Sequence, residues 1–388
     1  MIKLKKEIWK TVKLGDVCEI NMGKTPSRNN LANFGKGYTW LSIADFKGDK
    51  YLSKSKEEIT DYALTQARFK PIKQNTLLLT FKLTIGKIAI AGKELFTNEA
   101  IAALPIKNEK IVTTEFLYTI LQTIDYDSKT DKAVKGATLN KEKLTQLAFP
   151  LPPLEEQKQI AALFQSIDAA IEQVEGQEKN LLNLKNKLLG ELCGEKQTFG
   201  KALNKGDFES VKFDKVAICI SERVEPQKTD LTTYVGLEHL DPDSLFIERT
   251  GVPADVIGTK LKIYKGDVIF GKRRAYQRKV AVSHFDGIAS AHSMILRANE
   301  DNIEKDFLPF FMQSDVFMNR AVQISEGSLS PTIKWKTLAV QEFSLPKKAK
   351  QKELTAVFKQ FDNVRGQLRQ QKTTLQHLKQ KLLSEILG

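Results

Sequence analysis

The 388-residue sequence is poor in the residues that build disulfide frameworks and membrane spans. Its three cysteines, Cys18, Cys193 and Cys219, are odd in number, widely spaced and free of any C-x-x-C pair. We therefore expect reduced thiols, as in a cytoplasmic protein. No run of 18 apolar residues occurs, so no transmembrane helix is predicted. The first ten residues, MIKLKKEIWK, lack the apolar core of a signal peptide.

Motifs for catalysis and cofactor binding are also missing. Gly23-Lys24-Thr25 resembles the end of a phosphate-binding loop, but Cys18 stands where that loop requires glycine. No G-x-G-x-x-G follows a predicted strand, and no Asn/Asp-Pro-Pro-aromatic segment of an amino-group methyltransferase is present. The four histidines are scattered and have no cysteine partners nearby in sequence. We predict no catalytic centre, no bound metal and no cofactor in this chain.

Acidic residues are too few to balance the basic ones. Lys and Arg number 60 against 47 Asp and Glu, which gives a net charge of +13 and a pI near 9.3. Such an excess favours an anionic partner, most often nucleic acid. The length is natural for two or more domains.

A long internal repeat organises the chain. The segment LKNKLLGELCG, which ends at Gly194, matches LKQKLLSEILG, which ends at Gly388. At this offset of 194, 20 of the 57 positions from Thr138 and Thr332 onward are identical. The preceding segments match more faintly and mix short β-like runs with helical patches. We predict an α+β protein with an internal pseudo-twofold repeat: similar α/β globular domains at 1–148 and 195–343, each followed by a helical arm, at 149–194 and 344–388.

Both arms carry apolar heptads, which predict long helices that pair as an antiparallel coiled coil. Gln177 and Gln371 fall at the same heptad position, where either a buried polar layer or a solvent-exposed rim is compatible with the pattern. The predicted coiled-coil core positions are Ile160, Ile167, Val174, Leu181, Leu188, Leu354, Phe361, Leu368, Leu375 and Leu382.

Polar and basic loops recur at corresponding places in the two globular halves. Arg, Lys, Gln, Tyr and hydroxyl side chains in such loops reach phosphates and base edges, although a solvated basic loop is the ordinary alternative. In the first half, the predicted DNA-binding residues are Lys24, Thr25, Ser27, Arg28, Lys82, Thr84, Lys87 and Thr138. In the second half, they are Arg223, Lys272, Arg273, Arg274, Tyr276, Gln277, Arg278, Lys279, Ser328 and Ser330.

These features resemble the specificity subunits of type I restriction-modification systems over the whole chain. The resemblance rests on PLPPLEEQ followed by I-x-x-L-F-x-x-I-D, on the turn GKTPS that starts at Gly23, and on the domain–arm–domain–arm order. The second copy departs from the motif, with Lys-Lys-Ala-Lys in place of the acidic turn, but keeps Leu-Pro, Gln351, Phe358 and Asp362.

The resemblance implies a non-catalytic, cytoplasmic subunit. Each globular half would be a target recognition domain that reads one half of a split, asymmetric site in double-stranded DNA. The coiled coil would set the spacer between the half-sites. Two modification subunits would supply S-adenosylmethionine and adenine methylation, and restriction subunits that use ATP and Mg²⁺ can join them.

Other hypotheses remain open on the residues alone. One is a coiled-coil scaffold whose globular domains bind proteins without sequence-specific DNA binding, and another is a stand-alone enzyme. The same architecture could also serve a methyltransferase–nuclease fusion. Salt dependence separates the first two classes, because binding through several phosphates weakens steeply with salt.

Overall fold

The computed structural model describes residues 4–67, 69–126, 128, 131–133, 136–193 and 205–388. The chain divides into unit 1, made of residues 1–173 and 371–388, and unit 2, made of residues 174–370. The α-helices are α1 (Leu14–Val17), α2 (Asp61–Ala67), α3 (Thr114–Leu121), α4 (Lys141–Thr145), α5 (Leu154–Cys193), α6 (Phe213–Val216), α7 (Phe307–Gln313), α8 (Asp315–Gln323), α9 (Trp335–Ala339) and α10 (Lys348–Leu387).

Unit 1 is built on a mostly antiparallel sheet. Its strands are β1 (Lys10–Lys13), β2 (Asn21–Met22), β3 (Phe34–Leu41), β4 (Tyr51–Leu52), β5 (Glu57–Ile59), β6 (Leu77–Thr80), β7 (Ile88–Ala91), β8 (Phe96–Thr97), β9 (Ile101–Leu104), β10 (Asp131–Ala133), β11 (Gly136–Thr138) and β12 (Ala148–Leu151). The main sheet has the order β2-β9-β6-β7-β4, and a second sheet has the order β5-β3-β8. Strands β6 and β9 are buried on both faces, which explains why they read as continuous apolar runs in the sequence.

Unit 2 repeats the central part of this sheet. Its strands are β13 (Phe208–Lys212), β14 (Ala217–Ile220), β15 (Arg223–Val224), β16 (Tyr234–Val235), β17 (Lys260–Ile263), β18 (Val268–Gly271), β19 (Val280–Val282), β20 (Gly287–Ala289), β21 (Ser293–Ala298) and β22 (Glu342–Pro346). The antiparallel order β14-β21-β18-β19 corresponds to β2-β9-β6-β7 of unit 1. A second sheet, β15-β17-β20-β16, ends in a parallel pair, as β3 and β8 do in unit 1. The sequence repeat is therefore also a repeat of fold.

The ends of α5 and α10 pack against each other within each unit. In unit 2, Glu178 binds Arg365 and Arg369, while Lys185, further along α5, binds Asp362, which is earlier in α10. Position along one helix rises as position along the other falls, so the two helices run antiparallel. The prediction of antiparallel helices is confirmed within the unit.

The predicted heptad positions are buried to different degrees. Ile160, Ile167 and Val174 are buried. The others are half-buried, namely Leu181, Leu188, Leu354, Phe361, Leu368, Leu375 and Leu382. Gln177 and Gln371 are both exposed, so of the two arrangements compatible with the pattern, the solvent-exposed rim is the one observed.

A buried glutamine fixes the start of each long helix to its globular domain. The Gln157 side chain donates to the carbonyls of Ile111 and Pro152 and accepts from the backbone N–H of Thr113. Its repeat equivalent, Gln351, donates to the Pro346 carbonyl at 2.7 Å and accepts from a backbone N–H at 2.8 Å. Both side chains are fully buried. These bonds explain physically why both copies of the motif carry glutamine at this position.

Each unit also contains a lysine that is bonded to an aspartate and a glutamine. In unit 2, the Lys185 ammonium lies 2.6 Å from the Asp362 carboxylate and 3.1 Å from the Gln313 amide oxygen. Burial lowers the pKa of Lys185, and the Asp362 charge opposes that shift. We call this set the Lys–Asp–Gln triad of unit 2.

The triad of unit 1 uses the equivalent residues. Lys379 lies 2.7 Å from Asp168 and 3.4 Å from the amide oxygen of Gln122. In both units, the lysine comes from the last third of one long helix, and the aspartate comes from the first half of the other. An antiparallel pair in a shifted register would leave these charges unmatched, so the triads specify the register.

Candidate nucleic-acid interface

In unit 2, the predicted basic segment forms a tight loop between β18 and β19. Arg274 and Arg278 both adopt left-handed backbone conformations, with φ of 59° and 55°, on either side of a single 3₁₀ turn. Ala275, the first residue of that turn, is buried, and Tyr276 remains 55% exposed. The loop therefore has a defined shape that carries basic side chains on its outer surface.

Two arginines of this loop are held by neutral partners. Arg273 and Arg274 donate to the Ser330 hydroxyl at 3.1 and 3.2 Å. Arg273 also lies 3.2 Å from Nε2 of His292. Burial, followed by the charge of Arg273, lowers the pKa of His292, so the neutral ring can accept this hydrogen bond. Neither guanidinium forms a salt bridge within the part of the chain that the structure describes.

Lys272 and Arg223 add further positive charge that the described residues do not pair with a carboxylate. Burial, with a contribution from the Arg223 charge, lowers the pKa of Lys272, against an opposing effect of Cys219. Arg223 is exposed on β15. We call Arg223, Lys272, Arg273 and Arg274 the unit 2 basic cluster. An anion placed there would relieve the mutual repulsion.

Arg278 and Lys279, predicted from the same segment, have internal partners. Arg278 bonds the carboxylates of Asp243 and Asp315, at 2.7 and 2.9 Å, and the carbonyl of Gln313. Lys279 donates to the carbonyl of Leu237 at 2.6 Å. These contacts hold the loop on the domain, and DNA contact by either residue stays a prediction.

A polar cavity of about 410 Å³ adjoins the cluster. Its walls include Gln277, His292, Glu238, Arg273 and Arg274. Gln277 brings an amide that can both donate and accept, as adenine recognition requires. Ser328 and Ser330 lie on a neighbouring loop before α9, where Ser328 is exposed.

In unit 1, the loop after β2, which corresponds to the loop after β14 in unit 2, is folded onto carboxylates. Arg28 makes a bidentate salt bridge to Glu57 at 2.6 and 2.8 Å, which raises the pKa of Arg28. The Thr25 hydroxyl donates to the carboxylate of Glu99. A Cβ at Gly23 would lie 2.1 Å from a backbone oxygen, so only glycine fits this turn.

The other predicted residues of unit 1 lie on or beside exposed loops. Lys24, Ser27 and Thr84 are exposed. Lys82 lies over the Phe81 ring, and Lys87 donates to the carbonyl of Phe46 at 2.9 Å. The side chain of Thr138, at the end of β11, lies outside the described residues.

Unit 1 also contains a basic cavity that could not be recognised from its sequence. This space of about 540 Å³ lies beside Lys24 and is also lined by Lys70, Lys73 and Lys141. The last three are exposed and have no side-chain partner in the described part of the chain. We call Lys70, Lys73 and Lys141 the cavity lysines. They were missed because no basic cluster joins Lys141 to the other two along the sequence.

The described residues form neither a metal-binding cluster nor a membrane-spanning helix. Within the described ranges, no group of three or more His, Cys, Asp or Glu side chains is placed to hold a metal ion. None of the helices described by the structure combines the length and apolar character needed to cross a membrane.

Known proteins match both the sequence and the fold. The family model described as "Type I restriction modification DNA specificity domain" matches residues 6–184 and 255–377. The MjaVIII specificity subunit of Methanocaldococcus jannaschii is 22% identical over 98% of this chain and 92% of its own length. The EcoDI specificity subunit of Escherichia coli is 22% identical over 97% of this chain and 87% of its own length.

Two solved structures share the fold. The S subunit of a type I restriction-modification system from M. genitalium is 14% identical, with a TM-score of 0.57 over 100% of this chain and 98% of that one. A chain from a study of type I restriction-modification complex assembly is 17% identical, with a TM-score of 0.62 over 99% and 98%. With two stretches of the family model matched along its length, this chain belongs to the type I restriction-modification DNA specificity family.

Proposed function

We propose that this chain reads a bipartite DNA site and directs modification subunits to it. Unit 1 and unit 2 would each bind one half-site, and methylation and cleavage would be carried out by partner subunits. The observation that carries the proposal is the unit 2 basic cluster, in which the guanidiniums of Arg273 and Arg274 bond Ser330 and His292 and form no salt bridge with the described residues. Arginines held in this way can bind phosphate or the O6 and N7 atoms of guanine.

The cavity lysines would play the corresponding part in unit 1. The cavity is lined by these three ammonium groups, which have no side-chain partner among the described residues, and by the carboxylate of Glu19. This excess of positive charge suits a phosphodiester, because Lys binds phosphate as a point charge. The two units would then contact DNA through different residues, as recognition of an asymmetric site requires.

The long helices would set the distance between half-sites. Each has 40 residues, which corresponds to about 60 Å of helix at roughly 1.5 Å per residue. A helix of this length could support two domains about one turn of DNA apart, ~34–36 Å. A seven-residue insertion at equivalent points of both helices should change the spacer and leave both half-sites unchanged. The spacer in the methylated motif measures this, and an unaltered spacer would contradict the ruler.

Two modification subunits would dock on equivalent surfaces of the arms. Leu184 and Leu378 occupy the same position of the repeat and remain 48% and 44% exposed. Apolar side chains left open at matching places of both arms favour two copies of one partner. The partners would bind S-adenosylmethionine, and this chain would contribute the sequence specificity.

Methylome sequencing tests the proposed function most directly. The chain would be expressed with its modification subunit in a methylation-free host, and we expect a split motif with a modified adenine in each half. Replacing Lys272, Arg273 and Arg274 by alanine should weaken binding to the second half-site only. An unmodified genome despite a verified complex would favour the protein-binding scaffold instead.

Salt titration of DNA binding gives an independent measurement. Each phosphate contact contributes about −0.9 to the slope of log K against log salt concentration. We expect a steep negative slope for the complex on its target. A slope near zero would contradict binding through the basic cluster and the cavity lysines.

A further inference from the structure

A short hairpin stands beside the unit 2 basic cluster. Glu326 and Thr332 exchange two backbone hydrogen bonds, of 3.1 and 2.9 Å. Gly327 turns the chain at a φ of 107°, and Lys334 closes the base through a 2.6 Å salt bridge to Glu326. The tip therefore consists of residues 327–331 between two fixed ends.

The hairpin is also attached sideways to the basic loop. The Arg274 N–H donates to the Pro331 carbonyl at 2.7 Å, and the Ile333 N–H donates to the Lys272 carbonyl at 3.0 Å. Both arginines of the loop bond the Ser330 hydroxyl, and the Ile333 side chain is buried. Together, these contacts fix the tip of the hairpin relative to the cations.

Leu329 lies within this tip and is 91% exposed. A single exposed leucine is ordinary on a protein surface. This one differs because it lies in a tip whose two ends are hydrogen-bonded and directly precedes Ser330, whose hydroxyl both arginines bond. It gains almost no burial within its own unit, so its apolar surface is available to a partner that the cations attract.

We propose that Leu329 is an apolar wedge that inserts against a base step of the second half-site. The inference rests on the proposed function, since it requires that unit 2 bind DNA. The basic cluster would bind the phosphates on either side, and the fixed hairpin would place the leucine in the groove. Apolar side chains used in this way partly unstack a base step, and the energetic cost depends on the step. Leu329 would thereby add specificity without a hydrogen bond.

The experiment uses the complex of the full chain with its modification subunits and the DNA target defined by the methylome. Leu329→Ala removes the wedge, and Val340→Ala, at an exposed valine of the same unit that follows α9, is the matched control. 2-Aminopurine placed at each step of either half-site reports unstacking by its fluorescence. Binding is measured at several salt concentrations on target and on unrelated DNA.

We expect Leu329→Ala to weaken target binding about tenfold, to abolish the fluorescence rise at one step of the second half-site, and to leave the salt slope unchanged. Val340→Ala should behave as wild type. The wedge proposal would be wrong if Leu329→Ala bound DNA and changed 2-aminopurine fluorescence as the wild type does. It would also be wrong if Leu329→Ala lost a modification subunit while DNA binding by the chain alone stayed unaltered. Failure of the proposed function itself looks different, because the wild-type complex would then show no preference for any split site.

Discussion

The two units use the same polar triad in different surroundings. In unit 2, the side chains of Lys185 and Asp362 are 3% and 10% exposed. In unit 1, Lys379 and Asp168 are 20% and 27% exposed at nearly the same distance. Removing one charge of an ion pair costs more stability when the remaining charge is shielded from water than when water can solvate it. The same residue types at equivalent positions therefore need not contribute equally to the stability of the two units.

The loops differ between the units in a related way. In unit 1, Arg28 and Thr25 are bound to Glu57 and Glu99, so the loop after β2 is partly neutralised. In unit 2, Arg223 of the equivalent loop after β14 has no carboxylate partner among the described residues. Arg273 and Arg274 of the loop after β18 bond the neutral groups of Ser330 and His292. The arrangement of the central strands is shared by the two units, while the charges on their loops have diverged.

The largest expected effect comes from breaking the triads. Lys185→Met leaves the buried Asp362 charge without its partner and should lower the free energy of unfolding of unit 2 by about 3–5 kcal/mol. Lys379→Met in unit 1 should cost about 1 kcal/mol or less, since water solvates the remaining carboxylate. Urea unfolding, followed by hydrogen exchange that resolves the units, measures both.

The control for this prediction is the pair replacement Lys185→Met with Asp362→Leu. It should recover much of the stability lost by Lys185→Met, because no unpaired charge remains. Equal losses for Lys185→Met and Lys379→Met would show that exposure does not separate the triads.

The next effect tests whether unit 1 binds DNA through its cavity. Replacing Lys70, Lys73 and Lys141 together by glutamine should reduce the salt slope by about 3 and weaken binding at the first half-site. The same charge change at Lys10, Lys13 and Lys110, which do not line the cavity, serves as the control. An equal change of slope in the control would show that the cavity lysines act only through the net charge of the protein and not through contacts at this cavity.

Partner docking gives a third comparison between equivalent sites. Leu184→Glu and Leu378→Glu each place a charge on one exposed apolar position and should each remove one modification subunit, leaving complexes of one instead of two. Native mass spectrometry counts the subunits. Gln177→Glu and Gln371→Glu, at exposed positions of the same helices, should keep both subunits bound. If both leucine variants keep two modification subunits, Leu184 and Leu378 are not part of the docking surface.

The two long helices and the order of the domains could be predicted from the sequence because the patterns that encode them are local. Heptad spacing defines α5 and α10 residue by residue, and the repeat gives their order. The triads could not be foreseen, since Lys185 and Asp362 are 177 residues apart and look like solvated charges in their own helices. The partners of Arg28 and Arg278 are likewise fixed by tertiary structure. The spacing of residues along the sequence does not show that Lys141 and Lys70 line one cavity. It also does not show that Leu329 lies in a hydrogen-bonded hairpin.

The smallest expected effect is a difference in pH dependence that isolates His292. Burial and Arg273 lower the pKa of His292 in the folded state, below the ordinary value near 6.5 of an unfolded chain. The unfolded state then binds more protons, so the stability from this group is present above pH ~6.5 and is lost as the pH falls towards the folded pKa. His292→Gln should flatten the decline of unit 2 stability between pH 7 and pH 5 and leave unit 1 unchanged. If the variant and wild type decline in parallel, the ring does not take part in the Arg273 contact as a neutral acceptor, and Ser330 alone positions that guanidinium for DNA.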